Sequence, residues 1–133
     1  MALYNTRAVV IGAANWREAD RIITLFSRDK GKIKSAAYGC RHTKSRLASV
    51  SQLFSIVDVQ LTAGQQIDVI KNCDHAGFLA DFSADYTALA YASFVAEFVS
   101  EVFEAGQPQP QVYDKLLNII PAMQHHNPRI AAL

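Results

Sequence analysis

The hydrophobic pattern of the chain changes its period once, close to residue 80. Before that point, short runs rich in Val, Ile, Thr and Phe alternate with polar, glycine-containing segments, which is typical of β-strands. From Ser83 onward, apolar residues recur at spacings of three and four, which is typical of amphipathic helices. The 133 residues are therefore expected to be α+β, with a β-domain over residues 1–80 and the start of a helical domain over residues 81–133.

Five strands are predicted in the first part of the chain. They cover residues 7–12, 20–27, 32–38, 53–61 and 67–71. Asp29-Lys30-Gly31 supplies a turn between the second and third strands, because glycine accepts a positive φ. The insertion between the third and fourth strands is longer than the other connections. This pattern predicts a small closed β-barrel of the oligonucleotide- and oligosaccharide-binding type, the OB-fold.

Two amphipathic helices are predicted in the second part. The apolar face of the first consists of Tyr91, Phe94, Val95, Phe98 and Val102, and without further chain this stripe would need a partner to cover it. The apolar face of the second consists of Tyr113, Leu116, Leu117 and Ile120. Pro110 suits the first turn of the second helix, and Pro121 is expected to kink or end it. A third helix start at Asn127-Pro128 leaves little chain to follow, so we expect a longer protein.

Positive charge is concentrated in one segment of the chain. The net charge is +1, but residues 1–80 have eleven Lys and Arg against six Asp and Glu, whereas residues 81–133 have two against six. Residues 28–46 alone have seven bases and one acid. A charge asymmetry of this kind indicates two modules with different partners, the basic one facing a polyanion.

The strongest candidate site is this basic segment. On a strand, lysines two residues apart form a ladder on one face, which Tyr38 continues and which a basic loop follows. Such cations neutralise phosphates, and an aromatic ring among them offers a surface on which an unpaired base can stack. The alternative is a solvated edge strand that its lysines protect from aggregation. The predicted DNA-binding residues are Lys30, Lys32, Lys34, Tyr38, Arg41, Lys44, Arg46, Arg17 and Arg21.

The loop between the first two predicted strands adds charge of both signs. Arg17 and Arg21 alternate with Glu18 and Asp20, a pattern that favours local salt bridges ordering the loop. Trp16 has a ring that can stack on a base, but packing in a core or an interface is the favoured interpretation.

No catalytic residue, metal site or cofactor is predicted for this chain. Cys40 and Cys73 are separate thiols without a C-x-x-C motif, which indicates a reducing, cytoplasmic location. His75 beside Cys73 and Asp74 is a weak metal signal without a second ligand pair. The sequence contains neither a phosphate-binding loop nor a nucleophile–base pair, and no stretch is apolar enough for a membrane helix.

Several short motifs together resemble the bacterial recombination mediator RecO family. They are the aromatic-x-E-x-D-R segment at 16–21 with the strand after it, Lys-Gly-Lys at 30–32, Gly-Cys-Arg at 39–41, Lys-Ser-Arg-Leu at 44–47, Ser-Gln-Leu-Phe at 51–54 and Asn-Pro-Arg at 127–129. The similarity covers essentially the whole chain. Two site positions depart from the family pattern, which usually has Gly at Arg17 and often has Arg at Tyr38.

The resemblance implies an N-terminal OB-fold and a helical domain that continues past Leu133, where many relatives have a zinc site. It implies binding of single- and double-stranded DNA, annealing of complementary strands, and work with RecR in loading RecA onto DNA coated by single-stranded DNA-binding protein (SSB). By the same resemblance, Arg129 would stand at the start of the helix that contributes to the contact with the acidic SSB tail. We also expect a non-enzymatic protein, because the sequence lacks a nucleophile–base pair, and a location at the nucleoid.

Two other functions remain open from the residues themselves. The basic surface can capture acidic protein tails, in which case the chain is an adaptor and DNA binding is incidental. Because OB grooves bind both nucleic acids, an RNA-binding module is the other alternative.

Overall fold

Five strands form a closed barrel in the computed structural model, which describes residues 2–41 and 47–124. The strands are β1 (Leu3–Asn15), β2 (Arg21–Ser27), β3 (Gly31–Ala37), β4 (Ser55–Thr62) and β5 (Asp68–Phe78), with a short 3-10 helix at Ala48–Ser51. Their order around the barrel is β1-β2-β3-β5-β4, and β4 pairs with β1 to close it. Each pair is antiparallel except β3 and β5. The two helices that follow complete the predicted α+β fold with its OB-type barrel.

Strand β1 is longer than the predicted 7–12, since its two ends pair with different neighbours. Residues 3–9 pair with β4 and residues 8–15 pair with β2. A bulge at Ile11 separates the paired residues Val10 and Gly12, and a bulge bends a strand where the barrel wall turns. The strand β5 also extends beyond the predicted 67–71.

The hairpin of β2 and β3 is confirmed almost to the residue. Its register runs from Arg21 opposite Ala37 to Ser27 opposite Gly31. Gly31 has a φ of +71°, as expected for a residue that leaves the turn in the left-handed region. The predicted alternation of β3 also holds, because Ile33 is buried while Lys34 is exposed.

Two apolar clusters lie on opposite sides of the barrel wall. The interior cluster contains Ala8, Val10, Ile23, Leu25, Ile33, Ala37, Cys40, Val50, Val57, Val59, Leu61 and Ile70. The exterior cluster joins Val9, Ile11 and Phe26 to the helices. Because side chains alternate along a strand, β1 and β2 contribute to both clusters.

Helix α1 (Tyr86–Val102) packs on the barrel through small side chains. Its first turn is capped by Asp85, whose carboxylate accepts a hydrogen bond of 3.0 Å from the backbone N–H of Ala88. The buried residues are Ala88, Ala92, Ala96 and Val99. The apolar stripe that the sequence indicates is therefore not the face that packs on the barrel: Phe94 is 68% and Phe98 is 55% exposed. Alanine lets the helix approach the barrel closely, and the bulky stripe is left on the outer side.

Helix α2 (Pro110–Gln124) packs as the sequence predicts. Pro110 occupies its first turn, and Tyr113, Leu116 and Ile120 are buried. The helix does not end at Pro121 but continues to Gln124. The predicted third helix at residues 127–133 lies outside the described residues. Among the described residues, no helix combines the length and apolar character that crossing a bilayer requires.

Candidate nucleic-acid interface

Two loops meet at one end of the β2–β3 hairpin: the loop that joins β1 to β2, and the turn that follows β3. The backbone N–H of Arg41 donates to the carbonyl oxygen of Ala19 at 3.0 Å. The backbone N–H of Gly39 donates to Oδ1 of Asp20 at 2.8 Å, and Nη1 of Arg41 donates to the carbonyl oxygen of Arg17 at 3.0 Å. These bonds hold residues from distant parts of the sequence in one surface, which we call the arginine–aromatic end.

Two aromatic rings are exposed at the arginine–aromatic end. Trp16 is 37% and Tyr38 is 45% exposed, and their ring centroids are 6.0 Å apart with an angle of 44° between the planes. The guanidinium carbon of Arg17 lies over the Trp16 ring at 4.2 Å from the centroid. Trp16 is therefore not part of the barrel core: its ring lies at the surface, partly covered by Tyr38 and Arg17, and packing in an interface stays a prediction.

Three arginines surround these rings without carboxylate partners. Arg17, Arg21 and Arg41 form no ion pair within residues 2–41 and 47–124. Arg21 donates through Nε to Oδ1 of Asn15 at 3.1 Å, a neutral partner that orients the guanidinium. The predicted local salt bridges are wrong, because the Asp20 carboxylate accepts from a backbone N–H instead. The arginine–aromatic end therefore presents positive charge beside exposed rings.

The three lysines do not form the predicted ladder on a single strand. Lys30 lies in the hairpin turn, and its Nζ is 5.4 Å from the centroid of the Tyr4 ring. Lys32 lies on β3, and its Nζ donates to the carbonyl oxygen of Ser100 in α1 at 2.7 Å. Lys34 is exposed on β3 and makes no side-chain hydrogen bond or ion pair among the described residues. Only Lys34 is thus both on the strand and free to meet a ligand.

Carboxylates lie close to the lysines. A hollow of about 570 Å³ is lined by all three lysines, but Asp29 and Asp68 line it as well. Burial, and after it the hydrogen bond that the Tyr4 hydroxyl donates to Asp68, raises the pKa of Tyr4 above its ordinary value. Glu101 lines the adjoining hollow beside Lys32 and Lys34. The lysine end therefore has three carboxylates beside its three lysines, whereas the arginine–aromatic end has Glu18 and Asp20 beside its three arginines.

The described candidate residues nevertheless follow one hairpin. Lys30 is in its turn, Lys34 is opposite Thr24 near its middle, and Arg21 is opposite Ala37 at its far end. Strands of seven residues are about 20 Å long. The hairpin thus forms a track along which an extended polyanion can lie. Lys44, Arg46 and Arg129, which were also predicted, lie outside the described residues.

His75 and Cys73, which the sequence offers as a weak metal signal, lie on β5. His75 packs edge-on against Phe78, with ring centroids 4.6 Å apart. Burial raises the pKa of the Cys73 thiol to about 11, so this thiol is not activated. No group of three or more His, Cys, Asp or Glu side chains among the described residues is placed to hold a metal ion.

The sequence was compared with family models and with curated proteins. Residues 1–78 match the family model described as Recombination protein O N terminal, and residues 83–133 match Recombination protein O C terminal. The chain is 34% identical over 117 residues to a DNA repair protein RecO of Symbiobacterium thermophilum, covering 88% of this chain and 46% of the relative. It is 35% identical over 133 residues to one of Bifidobacterium longum, covering 97% and 56%.

The chain spans about half the length of the curated relatives that it matches. Both matched regions coincide with the two structural parts, the barrel and the helices. The family resemblance drawn from the short motifs is therefore confirmed, and the chain belongs to the recombination protein O family.

Proposed function

We propose that the chain binds DNA through the β2–β3 hairpin and its arginine–aromatic end, as part of a role in DNA repair and recombination. The observation that carries the proposal is the set of three arginines without carboxylate partners around two exposed rings. Cations neutralise the phosphates of a nucleic acid and release condensed counterions, which supplies affinity independent of sequence. The relatives named DNA repair protein RecO support DNA as the polyanion.

The proposed mechanism is physical rather than enzymatic. Two complementary strands repel each other through their phosphates, and bound cations reduce that repulsion. A surface that holds the backbone leaves base edges accessible, so two strands can meet and anneal. In the cell we propose that this activity serves RecA loading onto SSB-coated single-stranded DNA, together with RecR. Both single- and double-stranded DNA are proposed ligands, since both present phosphates.

A charge-reversal experiment tests DNA binding at this end of the hairpin. The double variant Arg21→Glu with Arg41→Glu is expected to lower affinity for a single-stranded oligonucleotide at least tenfold in low salt. If both arginines contact phosphates, the slope of log affinity against log salt falls by about 1.4, or about 0.7 for each lost contact. Fluorescence anisotropy of a labelled oligonucleotide over a salt series measures both quantities.

The control reverses a cation that belongs to neither loop. Lys115→Glu changes the charge of α2 in the same direction and is expected to leave affinity and slope nearly unchanged. Because Arg41 also holds the Arg17 carbonyl, the neutral pair Arg21→Gln with Arg41→Gln checks that a lost fold is not the cause. Wild-type affinity and salt slope in a folded double variant would disprove this binding site.

A further inference from the structure

The rings of Trp16 and Tyr38 are held on the surface by a fixed backbone. The N–H of Trp16 donates to the carbonyl oxygen of Asp20 at 3.0 Å, which closes the loop on itself. On the other side, Gly39 follows Tyr38 with a φ of +71° and donates to the Asp20 carboxylate. The same aspartate therefore positions both ring-bearing segments, and the rings are arranged before any ligand arrives.

Packing does not explain these two rings. Neither Trp16 nor Tyr38 belongs to the interior or the exterior apolar cluster, in contrast to Phe26 and Tyr113, whose rings stack inside the exterior cluster. The exposed part of each ring forfeits the stabilisation that full burial would give it. Two such rings side by side, with a guanidinium over one of them, make a surface suited to a flat and electron-rich ligand.

We propose that an unpaired nucleobase stacks on the cluster of Trp16, Arg17 and Tyr38, an inference that rests on the proposed DNA binding. Tyr38 is 45% and Trp16 37% exposed, so part of each side chain remains accessible to a ligand. A guanidinium stacks on a base as well as on an indole, so Arg17 extends the platform of Trp16. Arg21 and Arg41 then lie beside the platform, where the phosphates of the same strand can reach them.

The cluster selects for a single strand rather than a duplex. In a duplex both faces of each base are covered by neighbouring bases, so no free face meets a surface ring. Stacking a base of a single strand requires no unpairing, and base–aromatic stacking accepts every base because each has a π-face. The arginines alone do not make this distinction, since both forms of DNA present phosphates.

The test uses the single tryptophan of the sequence as its reporter. An oligothymidylate of about 12 nucleotides is within the site size of one OB barrel, and an abasic strand of equal length has the same phosphates without bases. Oligothymidylate is expected to quench the Trp16 fluorescence and to bind more tightly, whereas the abasic strand should do neither. Trp16→Ala and Tyr38→Ala should each lower oligothymidylate affinity about tenfold and leave abasic-strand affinity unchanged.

Two further variants separate stacking from a damaged fold. Trp16→Phe keeps a ring and is expected to retain most of the affinity that Trp16→Ala loses. Tyr86→Ala removes a ring that is 81% exposed at the start of α1, and it should bind like the wild type. Thermal unfolding followed by circular dichroism should give the same midpoint for the wild type and for the Tyr38→Ala variant.

Equal affinity for the two strands, or unchanged Trp16 fluorescence on saturation, would overturn the stacking site. If that binding still weakens with salt and with the arginine reversals, the proposed DNA binding stands without it. If neither strand binds at low salt, the proposed function fails and the stacking inference fails with it.

Discussion

The ammonium group of Lys32 donates a hydrogen bond of 2.7 Å to the backbone carbonyl oxygen of Ser100. Ser100 lies in the last turn of α1, where carbonyl groups have no partner within the helix. That turn has no basic residue of its own, while Glu101 lies in it. Lys32 therefore supplies from the barrel the positive charge that a helix C-terminus favours.

Lys32 and Lys34 are expected to have opposite roles although they are two residues apart. Lys32→Met keeps the aliphatic stem but removes the ammonium, and should lower the free energy of unfolding by about 1 kcal/mol through the lost helix contact. Lys34→Met should leave stability within about 0.5 kcal/mol, as for other surface substitutions. Urea denaturation followed by circular dichroism measures both values.

The two variants are expected to rank the other way round in their loss of DNA affinity. Lys34→Met is expected to weaken binding of a single-stranded oligonucleotide more than Lys32→Met, because Lys34 has no partner among the described side chains. Equal losses of stability in the two variants would contradict the assignment of Lys32 to the helix contact.

Gly31 is expected to tolerate no side chain. It has a φ of +71°, and a Cβ atom there would overlap the carbonyl oxygen of Gln107 in the α1–α2 connection. Gly31→Ala should therefore cost more than the 1–2 kcal/mol of the left-handed conformation alone. Gly106→Ala is the matched control, since Gly106 has a φ of +81° with open space around its Cβ position. Comparable unfolding midpoints for the two variants would show that the α1–α2 connection does not contact the barrel closely at Gly31.

The two stripes of α1 should respond differently to substitution. Ala96→Leu adds volume against the barrel and is expected to cost about 1–3 kcal/mol of stability. Phe98→Ser changes a residue that is 55% exposed and should cost far less. Thermal unfolding of both variants shows which stripe is buried. A larger loss of stability for Phe98→Ser than for Ala96→Leu would mean that the aromatic stripe packs on the barrel.

Cys73 should make stability fall at alkaline pH. Burial, followed by the nearby carboxylates of Asp74 and Asp58, raises its pKa from 9.0 to about 11 in the folded chain. Between these values the unfolded chain has released the thiol proton and the folded chain has retained it, so the free energy of unfolding decreases as pH rises. Below about pH 9, the wild type and the Cys73→Ser variant should show parallel pH dependence.

The difference in free energy of unfolding between the wild type and the Cys73→Ser variant reports the contribution of the thiol alone. Tyr4, whose pKa is also raised by burial and by its bond to Asp68, titrates in both and cancels in the comparison. Urea denaturation at pH values from about 8 to 11 provides the measurement. Parallel curves over the whole range would mean that Cys73 is not buried in the folded chain.

The strands could be predicted from sequence because alternation is a local signal. The predicted 32–38 differs from the observed β3 by one residue at each end. The face of α1 that packs on the barrel could not be predicted in the same way. The helix has two apolar stripes, and the larger aromatic side chains make the exposed stripe look like the buried one. Alanines at spacings of four, at positions 88, 92 and 96, were the available signal for a helix that packs closely.

The candidate site was predicted by composition more than by geometry. Arg17, Arg21, Tyr38 and Arg41 converge because a backbone hydrogen-bond network joins two distant loops, which no local pattern reveals. The contact between Lys32 and α1 depends on how the helix docks, which the sequence of β3 does not encode. An arginine next to a tryptophan in a charged loop was the signal for an exposed ring.

The position of Phe26 between the barrel and the helices limits how the two parts of the chain can be separated. Its side chain is fully buried, stacks on Tyr113 with centroids 6.2 Å apart, and meets Phe103 edge-on at 6.4 Å. A barrel severed from its helices would expose this ring together with Val9 and Ile11, and would tend to aggregate. Exchanging barrels between relatives therefore requires exchanging the helices that cover them, so that both halves of the shared apolar cluster come from one parent.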